Sequence, residues 1–385
     1  MTSERCHICV LGGGFGGLYT ALYFSHFSRV KSGKCQVTLV EKNDRFLFTP
    51  LLYELLTQEL QRWEIAPSYY KLLARTKIKL CQQTIEDVDL KARRVRLAEG
   101  HLTYDYLVLA VGNQTQYAQI PGVVEHTLPF RTLADAELLD QRLQLLEATQ
   151  RQRLRVAIVG GGPSGVELAC KLADRLHKRG QISLLDRGEQ LLKPYNQAIR
   201  AAAERSLHQR RVQVSLNTTV KTITAEHITL VQDEQIQTVP VDLVLWTAGT
   251  KIRDWVQKLE CQHNERGQVL TRPTLQLVDY PEVLALGDLA ECQSKQAPTT
   301  AQVAYQQASR AAKNLKAIVK GQRLRTFHYL HLGDMLTLGK GAAIVSSFSI
   351  NITGSFGALL RRLIYVQRLP TWRHRLQVLK RLLVG

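Results

Sequence analysis

The sequence predicts an α/β chain of two nested Rossmann-like domains with a basic amphipathic C-terminal region. Three observations carry that prediction. Two passages, HICVLGGGFGGLYTALYF and LRVAIVGGGPSGVELACKLADRL, each read as a short apolar strand, a run of glycines and a helix. Each is followed by an apolar strand that ends in an acid, CQVTLVE and QISLLD. Two more apolar strands, YDYLVLAVGNQT (104–115) and VDLVLWTAGT (241–250), end in small residues and glycine, as expected where the chain crosses between domains. The first domain is expected over 1–115 and 250–335, the second over 116–249, and a separate C-terminal region over 336–385.

The first passage fits G-x-G-x-x-G at Gly12, Gly14 and Gly17. The first glycine permits the tight turn, the second lets backbone approach a pyrophosphate, and the third lets helix and strand pack closely. The helix start presents unpaired N–H groups to the phosphates. Glu41 ends the next strand 24 residues after Gly17, where a carboxylate can hold both hydroxyls of an adenosine ribose. The pattern recurs at Gly160, Gly162 and Gly165, with Asp186 lying 21 residues after Gly165. Two dinucleotide sites in one chain suggest one bound flavin, FAD, and one exchanging nicotinamide. The acid at each strand end favours an unphosphorylated ribose, so NADH is the first choice. Arg187, next to Asp186, offers a cation to a 2′-phosphate, so NADPH is tolerated. PEVLALGDLAE (281–291) is a third strand ending, at Gly287 and Asp288, and an acid there typically reaches the ribityl or phosphate region of a flavin.

The chain has 385 residues, 45% hydrophobic and 22% charged, which suits a globular protein with a large core. Its net charge is +18, and from Arg310 onward fourteen Lys and Arg face the single acid Asp334. A basic tail on a near-neutral body fits an anionic membrane surface better than nucleic acid, and no nucleic-acid module is recognisable. Seven scattered cysteines argue for a reducing compartment. Cys6 and Cys9 form CHIC on the first strand, where they read as small buried apolar residues rather than a redox pair. No His/Cys cluster has ligand spacing, so no metal is implied. The chain enters its first strand at once, so no signal peptide is expected. No apolar run is long enough for a spanning helix, and Gly341–Leu360 reads as a strand pair.

RFLFTPLLYELL (45–56) follows the first motif and holds no cysteine, so electrons must leave a flavin for an outside acceptor. TTAQVAYQQASR (299–310) opens a helix with no charge before Arg310. Thr299 or Thr300 can cap it, and its positive end can face the reduced ring. Gln302 and Gln306, one turn apart, project together. They are either a solvated face or a pair of neutral donors for a quinone carbonyl.

AQVAYQQ (301–307) resembles the quinone-site motif of the type II NAD(P)H:quinone oxidoreductases, the single-subunit, non-pumping NADH dehydrogenases. GGGFGG, FTPLLYE, VGGGPSGVELA and ALGDLAE fall at that family's stations in order, and the resemblance covers about residues 6–383. The stretch FTPLLYELLTQELQRWEIAP (48–67) is closer still to the cyanobacterial and plastid branch that reduces demethylphylloquinone in phylloquinone (vitamin K1) synthesis. The resemblance implies an FAD-dependent transfer from NAD(P)H to a membrane quinone. It adds Phe15, Lys42, Thr49, Pro50, Gly112, Gly249 and Ala301 to the cofactor contacts. Catalytic roles are implied for Gln302, Gln306 and Glu167. Glu167 is expected to couple proton movement near the flavin–nicotinamide contact, the alternative being a helix-surface acid. Two rivals are a reductase of a ferredoxin-like protein and a non-catalytic sensor of the NAD(H) ratio.

The tail completes the reading. Phe356, Leu359, Leu360, Leu363 and Ile364 have helical spacing, Pro370 breaks the chain, and Trp372, Leu376, Leu379 and Leu383 share a second helical face. GALLRRLIYVQRLP is poorer in aromatics than the Trp-rich helix the family often carries. The face is expected to anchor a peripheral protein to the cytoplasmic side of a thylakoid or plasma membrane, the alternatives being packing on the body or a homodimer contact.

Overall fold

The computed structural model describes residues 6–293, 297–348 and 350–384, with no side chain beyond Leu382; Leu383, assigned above to an apolar face, lies outside the described side chains. The chain divides into two compact units. One comprises the chain up to Phe48, Ala66–Gln114 and Thr250–Leu330. The other comprises Thr49–Ile65, Thr115–Gly249 and the chain from His331 onward.

The first unit is built on a five-stranded sheet in the order Val283–Ala285, Tyr106–Leu109, Cys6–Leu11, Cys35–Val40, Ile78–Cys81, with every pairing parallel. Cys6–Leu11 is central, which is why Ile8 to Leu11 form an unbroken buried run. Cys9 belongs to that run, and burial pushes its thiol up to about 12, so it packs rather than reacts. Two helices lie side by side in this unit, α1 (Phe15–Ser25) and the helix Ala301–Val319. Ala304, Ala308, Ala311 and Ala312 are buried on the latter, and their small size permits the close approach.

The second unit repeats the plan. Its parallel sheet runs Gln213–Ser215, Gly180–Leu185, Leu154–Val159, Leu243–Trp246, Leu128–Pro129. The helix after the second glycine loop is α2 (Pro163–Leu176), with proline at its first turn, where its missing N–H costs nothing. Numbering onward, Ala301–Val319 is α3. Asp334–Thr337, Ala343–Ser347 and Ile350–Thr353 form an antiparallel meander, then come α4 (Gly354–Arg368) and α5 (Trp372–Val384). Leu369 and Pro370 separate these helices because a proline ring cannot continue the first one. The strand pair expected within Gly341–Leu360 occupies Ala343–Ser347 and Ile350–Thr353, and helix begins at Gly354. Among the described residues no helix is long and apolar enough to cross a membrane.

Candidate functional site

The two glycine loops have the same geometry. Gly12 has φ +95° and Gly160 φ +120°, values that disfavour a side chain. A methyl on Gly12 would lie 2.5 Å from the Ala110 carbonyl oxygen, and one on Gly160 would lie 2.6 Å from Thr247 Oγ1. A methyl on Gly17 or Gly165 would stand 1.8 Å from the carbonyl oxygen of Gly12 or Gly160 respectively, so each third glycine presses its helix onto its own turn. The middle glycines differ. Around Gly14 and Gly162 a methyl would meet nothing within 4 Å. These two residues also precede α1 and α2, and no side chain among the described residues caps either helix. Each loop therefore offers open space in front of uncapped helix N–H groups, the arrangement that takes a pyrophosphate.

The strand-end acids close on those loops. Glu41 Oε2 accepts from the Gly13 N–H at 2.8 Å, and Oε1 accepts from the backbone and side-chain amides of Asn43 at 3.0 and 2.7 Å. Asp186 Oδ2 accepts from Gly161 N–H at 2.5 Å and Oδ1 from Gly188 N–H at 2.7 Å. Each carboxylate is thus fixed beside its loop and retains lone pairs for ribose hydroxyls. Residues missed at the sequence level appear here. Gly13 and Gly161 carry the bonded N–H groups, and the buried Tyr69 hydroxyl donates to the Gly13 carbonyl at 2.7 Å. The sequence signal for Gly13 and Gly161 was the middle glycine of each GGG run, and Tyr69 had none. FAD and a nicotinamide dinucleotide fit these donors and openings.

The helix α3 is tied to the Gly287–Asp288 turn by a glutamine that the spacing argument passed over. Buried Gln307 Oε1 accepts from the Gly287 N–H at 2.7 Å, and Gly287 turns with φ +79°. Thr300 caps the helix, its side chain accepting from Val303 N–H at 3.3 Å, so Ala301 stands at the first position. Gln302 Oε1 accepts from the Tyr329 hydroxyl at 2.6 Å. Gln306 is engaged differently: its amide donates to the Leu330 carbonyl at 2.8 Å and accepts from the Leu330 N–H at 3.0 Å. Phe15, at the start of α1, meets Phe46 and Phe48 edge-on, with ring centroids 5.4 and 5.1 Å apart.

Glu167 lies in the second unit, on α2, and is buried rather than on a helix surface. Burial pushes its carboxyl up to about 7, although Arg361 and the Thr337 N–H, which donates to Oε1 at 2.8 Å, pull the other way. Arg361 Nη2 is 3.7 Å from Glu167 Oε1 and donates to the Pro50 carbonyl at 2.6 Å, while Nη1 pairs with Glu54. One guanidinium therefore serves two buried carboxylates. Glu54 and Arg361 escaped the sequence reading because they are far apart along the chain.

A family profile described as pyridine nucleotide-disulphide oxidoreductase matches residues 6–308. The demethylphylloquinone reductase NdbB of Synechocystis sp. is 43% identical, over 98% of this chain and 96% of its own length. An alternative NAD(P)H-ubiquinone oxidoreductase of Arabidopsis thaliana is 36% identical, over 98% of this chain and 80% of its own. This chain belongs to the pyridine nucleotide-disulphide oxidoreductases, in their type II NAD(P)H:quinone oxidoreductase family. The fold agrees: NDH2 of Plasmodium falciparum, solved with NADH, superimposes with a TM-score of 0.85 at 20% identity over 97% of each chain. Against that family's stations, Lys42 and Thr49 are exposed, and Pro50 is half-buried beneath Arg361. Gly112 and Gly249 both turn with positive φ, +62° and +82°.

Proposed function

We propose that this type II oxidoreductase carries two electrons from NADH or NADPH through FAD to a membrane quinone, without pumping protons. The quinone is a naphthoquinone such as demethylphylloquinone, the substrate named for the Synechocystis relative. FAD, when bound, accepts hydride and passes the electrons on. The chain's own residues bind and orient. The Gly12–Gly17 loop and the start of α1 hold one pyrophosphate, and Glu41 its ribose. The Gly160–Gly165 loop and Asp186 do the same for the nicotinamide dinucleotide. The positive end of α3, at Ala301, favours negative charge. Gln302 donates to the quinone carbonyl, and Glu167 holds a proton whose release lies near neutrality.

The observation that carries this reading is the anchoring of α3 through Gln307 to the Gly287 turn, which sets an uncharged amide helix start beside the strand ends of the first unit. No cysteine occurs in 45–56 to take the electrons instead. The protein is peripheral, on the cytoplasmic face of a thylakoid or plasma membrane. On α4 and α5 the large apolar residues Phe356, Leu359 and Trp372 are 66%, 53% and 70% exposed, which suits an acyl boundary. The same face is the surface a homodimer would use. The test is steady-state NADH and NADPH oxidation by yellow, FAD-loaded protein across naphthoquinone, demethylated naphthoquinone and benzoquinone. Turnover with a soluble iron–sulfur protein but none of the quinones overturns the reading, as does negligible turnover with every acceptor.

A further inference from the structure

The polar face of α3 grips the segment that follows it. Buried Asn314 donates through Nδ2 to the Arg325 carbonyl at 2.9 Å and accepts through Oδ1 from the Arg325 N–H at 3.0 Å. Gln306 repeats the pattern at Leu330, at 2.8 and 3.0 Å. Between them Phe327 is buried, and its N–H donates to the Pro273 carbonyl at 2.8 Å. Two of these ties fix residues 325–330 to the helix, and the third fixes them to Pro273. Tyr329 is carried between Phe327 and Leu330, and its hydroxyl donates to Gln302 Oε1 at 2.6 Å.

We infer that Tyr329 is the positioning residue for Gln302: its hydroxyl holds the carbonyl end of that amide and turns the NH₂ end toward the quinone carbonyl. The inference rests on the reading of Gln302 as a quinone donor given above. A primary amide has two ends of similar shape and opposite hydrogen-bonding character. Unrestrained, it presents either end. A contact of 2.6 Å has the length of an O–H···O bond, shorter than the usual N–H···O, so the oxygen is the end that faces Tyr329. Negative charge grows on the quinone oxygen as electrons arrive, and a donor already aimed there needs no reorientation at that moment. The ties at Arg325 and Leu330 keep the hydroxyl in place. The Leu330 tie occupies both ends of the Gln306 amide, so Gln306 acts on the strap.

The experiment uses full-length FAD-loaded protein and four variants: Tyr329→Phe, Gln302→Ala, the double variant, and Phe327→Leu as a control for strap packing. Binding of 2-methyl-1,4-naphthoquinone to the oxidised protein is measured calorimetrically, and each half-reaction is followed by stopped flow. Tyr329→Phe keeps the ring and loses only the hydroxyl. It should weaken quinone binding about fivefold and slow the quinone half-reaction about tenfold, since one neutral hydrogen bond contributes on that order. Flavin reduction by NADH should stay within about twofold. The double variant should be no slower than Gln302→Ala, because a group acting only through Gln302 has nothing left to act on. Multiplying effects, unchanged quinone binding in Tyr329→Phe, or an equal loss in Phe327→Leu each overturn the inference. Failure of the unaltered protein to pass electrons to any quinone overturns the underlying reading, and this inference with it. If Tyr329→Phe does not retain FAD, Tyr329 is structural and the inference is also overturned.

Discussion

Asp186 and Glu167 show how one carboxylate serves two ends according to its surroundings. Asp186 already accepts from Gly161 and Gly188, so Asp186→Ala would strip two loop N–H groups of their acceptor as well as losing the ribose contact. The first loss falls on both nicotinamides, the second mainly on the one with a free 2′-hydroxyl. KM for NADH should therefore rise roughly tenfold more than KM for NADPH, about the value of one charge-assisted hydrogen bond. Steady-state kinetics with both donors checks this, and equal rises would move the ribose contact elsewhere. Glu167 is governed by burial, which lifts its carboxyl from 4.5 to about 7. Between those values the native state keeps a proton that the unfolded chain releases, so stability falls as pH rises through this window and levels off above it. Glu167→Gln cannot ionise. Its melting temperature should lose that slope, and its quinone half-reaction should lose the decline through neutrality expected of a proton donor. Parallel pH profiles for variant and parent, in melts and in stopped flow, would remove Glu167 from both roles.

At the level of elements, α4 inverts the usual arrangement of an amphipathic helix. Its buried residues include Gly357, Arg361, Tyr365 and Val366, while Phe356, Leu359 and Leu363 are exposed. On α5, His374 and Val378 are buried while Trp372 and Leu376 stay exposed. His374 is fixed inward by its ring nitrogen, 2.7 Å from the Glu64 carbonyl oxygen. The exposed members Phe356, Leu359, Leu363, Trp372 and Leu376 thus add little to the packing of these helices, and replacing one should cost vesicle binding rather than stability. Phe356→Asp should weaken binding to anionic liposomes roughly thirtyfold, from about 2 kcal/mol for one aromatic side chain, with an unchanged melting temperature. Co-sedimentation and a thermal melt decide it. Helix spacing revealed in advance the exposed members Phe356, Leu359 and Leu363 of one stripe and Trp372 and Leu376 of the other, because period is a local property. It did not reveal which side faces inward, since Arg361 is held by Glu54 and Pro50, partners 307 and 311 residues away. The same division runs through the site. The glycine turns and their acids were legible within some thirty residues of sequence, as were Gln302 and Gln306 as a helical pair. That Gln306 would be taken up by Leu330, and Gln307 by Gly287, depended on segments 24 and 20 residues away that no periodicity connects.

For the whole molecule, the location of Arg361 changes how membrane attachment has to be tested. Residues 356–385 carry seven Lys and Arg and no acid, and deleting them is the obvious way to release the protein from anionic vesicles. The same deletion removes Arg361, the guanidinium beside both Glu54 and Glu167. Two buried carboxylates would then lose their cation, which is costly to stability and raises the proton affinity of Glu167 further. A truncated chain should accordingly lose activity on short-chain soluble quinones as well as on long-chain ones, and for a reason unrelated to lipid. Surface substitutions separate the two effects. Arg373 and Lys380 are exposed on α5, and Arg373→Gln with Lys380→Gln leaves Arg361 and its carboxylates in place. Each cation near an anionic surface contributes on the order of 1 kcal/mol, so the pair should weaken vesicle binding by roughly thirtyfold at low salt. The difference from the parent should shrink as salt is raised, because the contacts are solvent-exposed and screened. Turnover of short-chain quinone should be unchanged in this variant, while turnover of vesicle-borne long-chain quinone falls with the bound fraction. Equal vesicle binding by parent and variant across the salt series would assign the basic face to something other than lipid, and a short-chain rate that falls in step with the long-chain rate would mean that these cations support the fold.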